Sequence, residues 1–85
     1  MTPVDVRTPS ERALASITGA LQMPLSRLFE HSSELPSGSP LLLFCAGGYR
    51  SSIAASLLES RGFAVREIAG GITGWEQAGL PVAPA

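Results

Sequence analysis

Apolar and polar positions along the chain change character several times, and each change predicts an element. Pro3-Val4-Asp5-Val6 reads as a short strand. Thr8-Pro9-Ser10-Glu11 has the form of a capping box, with Thr8 at the N-cap, Pro9 at the first helical position and Glu11 reaching back. It predicts a short helix to about Ser16, ended near Thr18-Gly19. Ala20 to Met23 predicts a second short strand, stopped by Pro24, and Leu25, Leu28 and Phe29 fall at helical spacing within Leu25 to Glu30. His31 to Pro40 is polar and rich in Ser, Pro and Gly, which predicts a surface loop. Leu41 to Phe44 is uninterruptedly apolar, as in a strand covered on both faces of a parallel sheet. Ser51 to Arg61 is the strongest helix signal, with Ile53 and Leu57, and Ala54 and Leu58, forming an apolar stripe before Gly62. Phe63 to Ile68 predicts another strand, and Ile72 to Ala78 a short helix closed by Gly79 and Pro81. Strands alternating with helices through short loops predict an α/β layer with a mostly parallel central sheet flanked by helices.

Composition narrows what such a layer can do. The 85 residues suit one small domain, 45% of them are apolar and 15% charged, and the formal net charge is −1. Six arginines are scattered among seven acids, so no basic surface for nucleic acid is expected. The longest apolar run is too short to cross a bilayer, so no membrane partner is expected. One cysteine cannot form an internal disulfide, which predicts a reducing, cytoplasmic setting. With one Cys and one His, no zinc site forms on the usual terms, and His31 in the polar loop is a poor partner for the thiol.

That cysteine is the candidate centre. Cys45 ends the apolar strand and opens the segment Cys45-Ala46-Gly47-Gly48-Tyr49-Arg50, which leads into the strongest helix at Ser51. In open α/β sheets ligands bind at the carboxyl ends of strands. Gly47 and Gly48 allow successive amides to turn inward as an anion nest, and the helix start adds partial positive charge. Both favour a thiolate, and Arg50 adds fixed positive charge. At this level Cys45 as a small buried hydrophobe, the loop as a tight connection, and the loop as a phosphate cradle also stand. The Lys-Ser/Thr of a Walker loop and the G-x-G-x-x-G dinucleotide spacing are both absent.

Four segments in order resemble the rhodanese-type sulfurtransferase domains. They are Val4-Asp5-Val6-Arg7 with Glu11, Ile17-Thr18-Gly19-Ala20, Cys45 to Ser51, and Gly70-Gly71-Ile72-Thr73-Gly74-Trp75 with Gly79-Leu80-Pro81-Val82. The second is degraded, because Ala15-Ser16 stands where the family has Gly-His. The CAGGYRS loop is most similar to rhodanese domains beside persulfide dioxygenase modules. The resemblance implies one rhodanese-like domain over residues 1–85 and a sulfurtransferase without cofactor or metal. Its Cys45 thiolate would take sulfane sulfur from thiosulfate or a persulfide and pass it to a thiol or cyanide. Ala46, Gly47, Gly48, Tyr49 and Ser51 would line the sulfur site, and Arg50 would orient the loop or an anionic donor. Asp5 and Arg7 would brace the loop and strand ends, the alternative being a surface pair of Arg7 with Glu11. Trp75 is expected in the core beneath the loop. Related phosphatases have a loop one residue longer, so the six residues from Cys45 to Arg50 imply sulfur rather than phosphate. The family's first strand and helix have no counterpart ahead of Val4. A bare sheet edge is therefore expected beside the Phe63 to Ile68 strand, covered by a fused or bound sulfur-metabolism enzyme or by self-association.

Overall fold

Thr8, Pro9 and Glu11 start the first helix as their order predicts. The Glu11 amide donates to Thr8 Oγ1 (3.3 Å) and the Thr8 amide to Glu11 Oε1 (3.2 Å). The computed structural model describes residues 1–82; the last three residues of the expected domain lie outside the described residues. The elements are β1 (Thr2–Asp5), α1 (Pro9–Leu14), β2 (Leu21–Gln22), α2 (Leu25–His31), β3 (Leu41–Phe44), α3 (Tyr49–Ser60), β4 (Val65–Glu67) and α4 (Gly71–Gln77). The strands form one parallel sheet in the order β2-β1-β3-β4, with Val4 beside Leu21 and Leu43, and Leu43 beside Glu67. The chain is therefore a small α/β domain with a parallel sheet flanked by helices. Among the described residues β2 and β4 are the edges, and no helix is long and apolar enough to cross a membrane.

Alternate residues along each strand face opposite sides of the sheet, and each side has its own core. Val4, Val6, Leu41, Leu43 and Cys45 join Leu28 of α2 and Ala54, Ala55 and Leu58 of α3. On the other side Phe44 meets Ile17, Ala20 and Ile72, with Ile68, Trp75 and Val82 packed against them. Burying a Leu or Phe of this kind contributes about 1.5–3 kcal/mol, so these central strands hold the frame on which the loops are mounted.

Some expectations change on packing. Phe29 was expected on the apolar side of its helix but is 69% exposed, lying under the Arg61 guanidinium 4.5 Å from the ring centroid. Of the expected stripe on α3, Ala54 and Leu58 are buried, Leu57 packs at the margin, and Ile53 is 46% exposed. The buried face of α3 runs through Ser51, Ala54, Ala55 and Leu58, and Ile53 lies beside it rather than on it. The segment after α2 is only partly a surface loop. Ser32–Glu34 forms a single 3₁₀ turn, Ser32 and Leu35 are buried, and Ser32 Oγ accepts from Arg61 Nη1 at 2.6 Å.

Candidate active site

Cys45 follows β3 directly, and its side chain is 1% exposed. The chain then turns through Gly48, whose φ of 104° is left-handed and strains any residue with a Cβ. That turn brings the Gly48 amide to 3.0 Å from Cys45 Sγ and starts α3 at Tyr49. Gly47 has no such φ, and a Cβ there would meet open space, so the curl depends on Gly48 and not on both glycines. Ser51, fully buried one turn into α3, places its Oγ 3.6 Å from the sulfur.

Burial pushes the Cys45 thiol up. The Ser51 amide and hydroxyl and the Gly48 and Arg50 amides outweigh it, leaving the pKa below that of an ordinary thiol. Of the amide nest expected from the two glycines, the Gly48 amide is the one that hydrogen-bonds the sulfur. Cys45 as merely a buried hydrophobe does not account for the Gly48 amide that donates to its sulfur. His31 is not among its hydrogen-bonding partners: it ends α2 and pairs with Glu34 at 2.5 Å.

A second set of contacts fixes the loop from outside. The amides of Ile72 and Thr73, at the start of α4, donate to the carbonyls of Cys45 (2.8 Å) and Ala46 (3.1 Å). The Arg50 side chain forms a two-pronged pair with Glu11, at 2.6 and 2.8 Å. The Arg50 hydrogen bonds hold the Glu11 carboxyl at about 2, well below its ordinary 4.5. Arg50 therefore ties α3 to α1.

Asp5 is completely buried and accepts from the Arg7 amide, Nε and Nη2 at 2.9, 3.0 and 2.8 Å, and from Ser16 Oγ at 3.1 Å. Arg7 Nη2 also reaches the Ala15 carbonyl, at 2.6 Å. These bonds satisfy the buried charges, and removing one partner of such a pair typically costs about 3–5 kcal/mol. The expected alternative of an Arg7–Glu11 surface pair is overturned: Glu11 belongs to Arg50 and Arg7 to Asp5. Trp75 is half-buried against the Phe44 cluster, with Nε1 donating to the Pro81 carbonyl at 2.8 Å.

The family model for the rhodanese-like domain matches residues 1–78. The chain belongs to the rhodanese-like domain family. This rhodanese-like domain is 38% identical over 80 residues to a sulfurtransferase of Allochromatium vinosum, covering 93% of this chain and 75% of that protein. It is 42% identical over 81 residues to an uncharacterized protein of Synechocystis, covering 92% of this chain but only 44% of that relative. The crystal structure of a rhodanese-related protein from Thermoplasma volcanium superposes with a TM-score of 0.95 at 33% identity, over 99% of this chain and 84% of that one.

Of the residues singled out from sequence, Cys45, Gly48 and Ser51 meet at the sulfur, and Ala46 holds the loop through its carbonyl. Tyr49 is 80% exposed at the first position of α3, and Arg50 is engaged elsewhere. The contacts of three further residues were not expected from the sequence. Ser16 bonds Asp5, Glu67 accepts from Ser51 Oγ (3.2 Å) and Ser52 Oγ (2.9 Å), and Gly71 lets α4 touch the loop. None has a local signal in the sequence except Gly71, which lies within the Gly70-Gly71 pair.

Proposed function

We propose that this domain is a sulfurtransferase that carries sulfane sulfur on Cys45. The observation that carries the proposal is the convergence of the Gly48 amide and Ser51 on a thiol at the end of β3. The Cys45 thiolate attacks the sulfane sulfur of thiosulfate or a persulfide. A new S–S bond forms while the donor's S–S bond breaks, and sulfite or a thiolate leaves with the electron pair. An acceptor thiolate or cyanide then attacks the outer sulfur of the Cys45 persulfide, and Cys45 leaves as thiolate. Amides aimed at the sulfur stabilise negative charge in both steps. Arg50 positions the loop through Glu11 rather than contacting the donor. The sulfurtransferase relative from Allochromatium vinosum supports this reading.

Intact mass after mixing with thiosulfate or glutathione persulfide tests it. Gain of one sulfur atom, absent in Cys45→Ser, is the expected result. No gain with either donor would overturn it.

A second reading is favoured by the outer edge of β4, which has no partner strand among the described residues. In it the domain hands its sulfur to an enzyme or a second copy docked along that edge and turns over slowly alone. Stoichiometric loading with poor multiple turnover, on thiosulfate and on a protein thiol compared in parallel, separates carrier from catalyst.

A further inference from the structure

Ser51 Oγ has three neighbours and one proton. It lies 3.6 Å from Cys45 Sγ, 3.2 Å from Glu67 Oε1 and 3.2 Å from the Gly48 carbonyl. A serine hydroxyl donates once and accepts at its lone pairs. With Cys45 as thiol, S–H donates to Ser51 Oγ and the Ser51 hydroxyl donates to Glu67 or to the Gly48 carbonyl. When Cys45 ionises, its proton leaves to solvent, and the sulfur then needs the Ser51 hydroxyl as a donor. Glu67 competes for that same proton. It is an exposed residue at the end of β4, and the Ser52 Oγ lies 2.9 Å from the same Oε1 and 3.0 Å from the Gly48 carbonyl.

We propose that Glu67 is a positioning residue for Cys45: by competing for the Ser51 hydroxyl proton it holds back ionisation of the thiol. The competition acts through Ser51 and leaves the Gly48 amide free to serve the sulfur. The role of this ionisation in sulfur transfer rests on the function proposed above; the ionisation itself does not. Other charges near the loop are already paired. Arg50 at the start of α3 is engaged by Glu11 of α1, and Asp5 at the end of β1 by Arg7. From α4 the loop receives the Ile72 and Thr73 amides, and the nearest charge in that helix's sequence is the exposed Glu76. Glu67 is therefore the carboxylate placed to bias Ser51.

Cys45 is the sole cysteine, so the rate of alkylation by iodoacetamide across pH reports its ionisation alone. Glu67→Gln is expected to lower the midpoint by about half a pH unit, the scale of one part-screened charge and hydrogen bond. Ser51→Ala is expected to raise it. In the Ser51→Ala background, adding Glu67→Gln is expected to shift the midpoint much less than it does alone. No shift in Glu67→Gln would overturn the proposal. So would an equal shift in both backgrounds, which would make Glu67 a simple through-space charge. If Ser51→Ala fails to fold, salt replaces the cycle. A Glu67→Gln shift that persists at about 1 M salt supports the hydroxyl route, and one that vanishes overturns it. Alkylation needs no sulfur donor, so this result stands or falls apart from the sulfur-loading test.

Discussion

Gly71 is where α4 packs against the Cys45 loop, and replacing it with alanine probes how that loop is held. A Cβ at Gly71 would lie 2.3 Å from the Cys45 carbonyl oxygen, 2.7 Å from that of Ala46 and 2.8 Å from the Ala46 carbonyl carbon. All three are backbone atoms, so no side chain can swing aside. The residue also sits at φ +62°, where a side chain costs roughly 1–2 kcal/mol. Relief requires α4 to withdraw, which breaks the Ile72–Cys45 and Thr73–Ala46 hydrogen bonds. At about 1 kcal/mol each, their loss brings the total to about 3–4 kcal/mol. Small domains are stable by about 5–15 kcal/mol, and one of this size falls towards the lower end. Gly71→Ala is therefore expected to be folded but marginal. Gly19→Ala is the control: φ there is +81°, but a Cβ would meet nothing within 4 Å, so only the conformational penalty applies. Urea unfolding should place Gly71→Ala about 2 kcal/mol below Gly19→Ala. Sulfur loading of Cys45 should fall in the first and survive in the second. Equal stability of the two variants, with loading at the wild-type rate in both, would refute the idea that α4 fixes the cradle.

The Glu11–Arg50 pair gives a pH dependence. Glu11 has its folded pKa lowered to about 2 from 4.5, so it adds stability above the unfolded value, and that stability is lost as pH falls from 4.5 towards 2. Both side chains are about one-third exposed, and screening reduces the effect to about 1 kcal/mol. Urea midpoints measured from pH 5 downward should fall for the wild type and stay flatter for Glu11→Gln; parallel curves would contradict the assignment. The β4 edge, as proposed, should make the isolated chain associate. Sedimentation is expected to show mass rising with concentration, and a monodisperse monomer with a sharp, concentration-independent melt would count against it.

The apolar quartet of β3 was readable in the chain because a strand buried on both faces leaves no polar position. The Thr8–Glu11 cap was readable because its partners are three residues apart. The Cys45-to-Ser51 turn was legible in part, since a glycine turn into a helix start is a local property of consecutive residues, but not that Gly48 alone carries the left-handed φ. What tertiary packing decided was how the charges paired. Arg7 and Glu11 are neighbours in sequence, yet Arg7 turns inward to Asp5 and Glu11 crosses to Arg50, because burying Asp5 demands a buried cation at hydrogen-bonding distance. Ile53 is partly exposed although it belongs to an apolar stripe, because the face that α3 turns to the sheet is Ser51, Ala54, Ala55 and Leu58. Glu67, sixteen residues along the chain from Ser51, reaches it because β4 pairs with β3 and so ends beside the start of α3. Cys45 and the turn around it thus lie in one short segment. The groups that tune and brace it come from β1, α1, β4 and α4, brought together by long-range packing that no local pattern encodes.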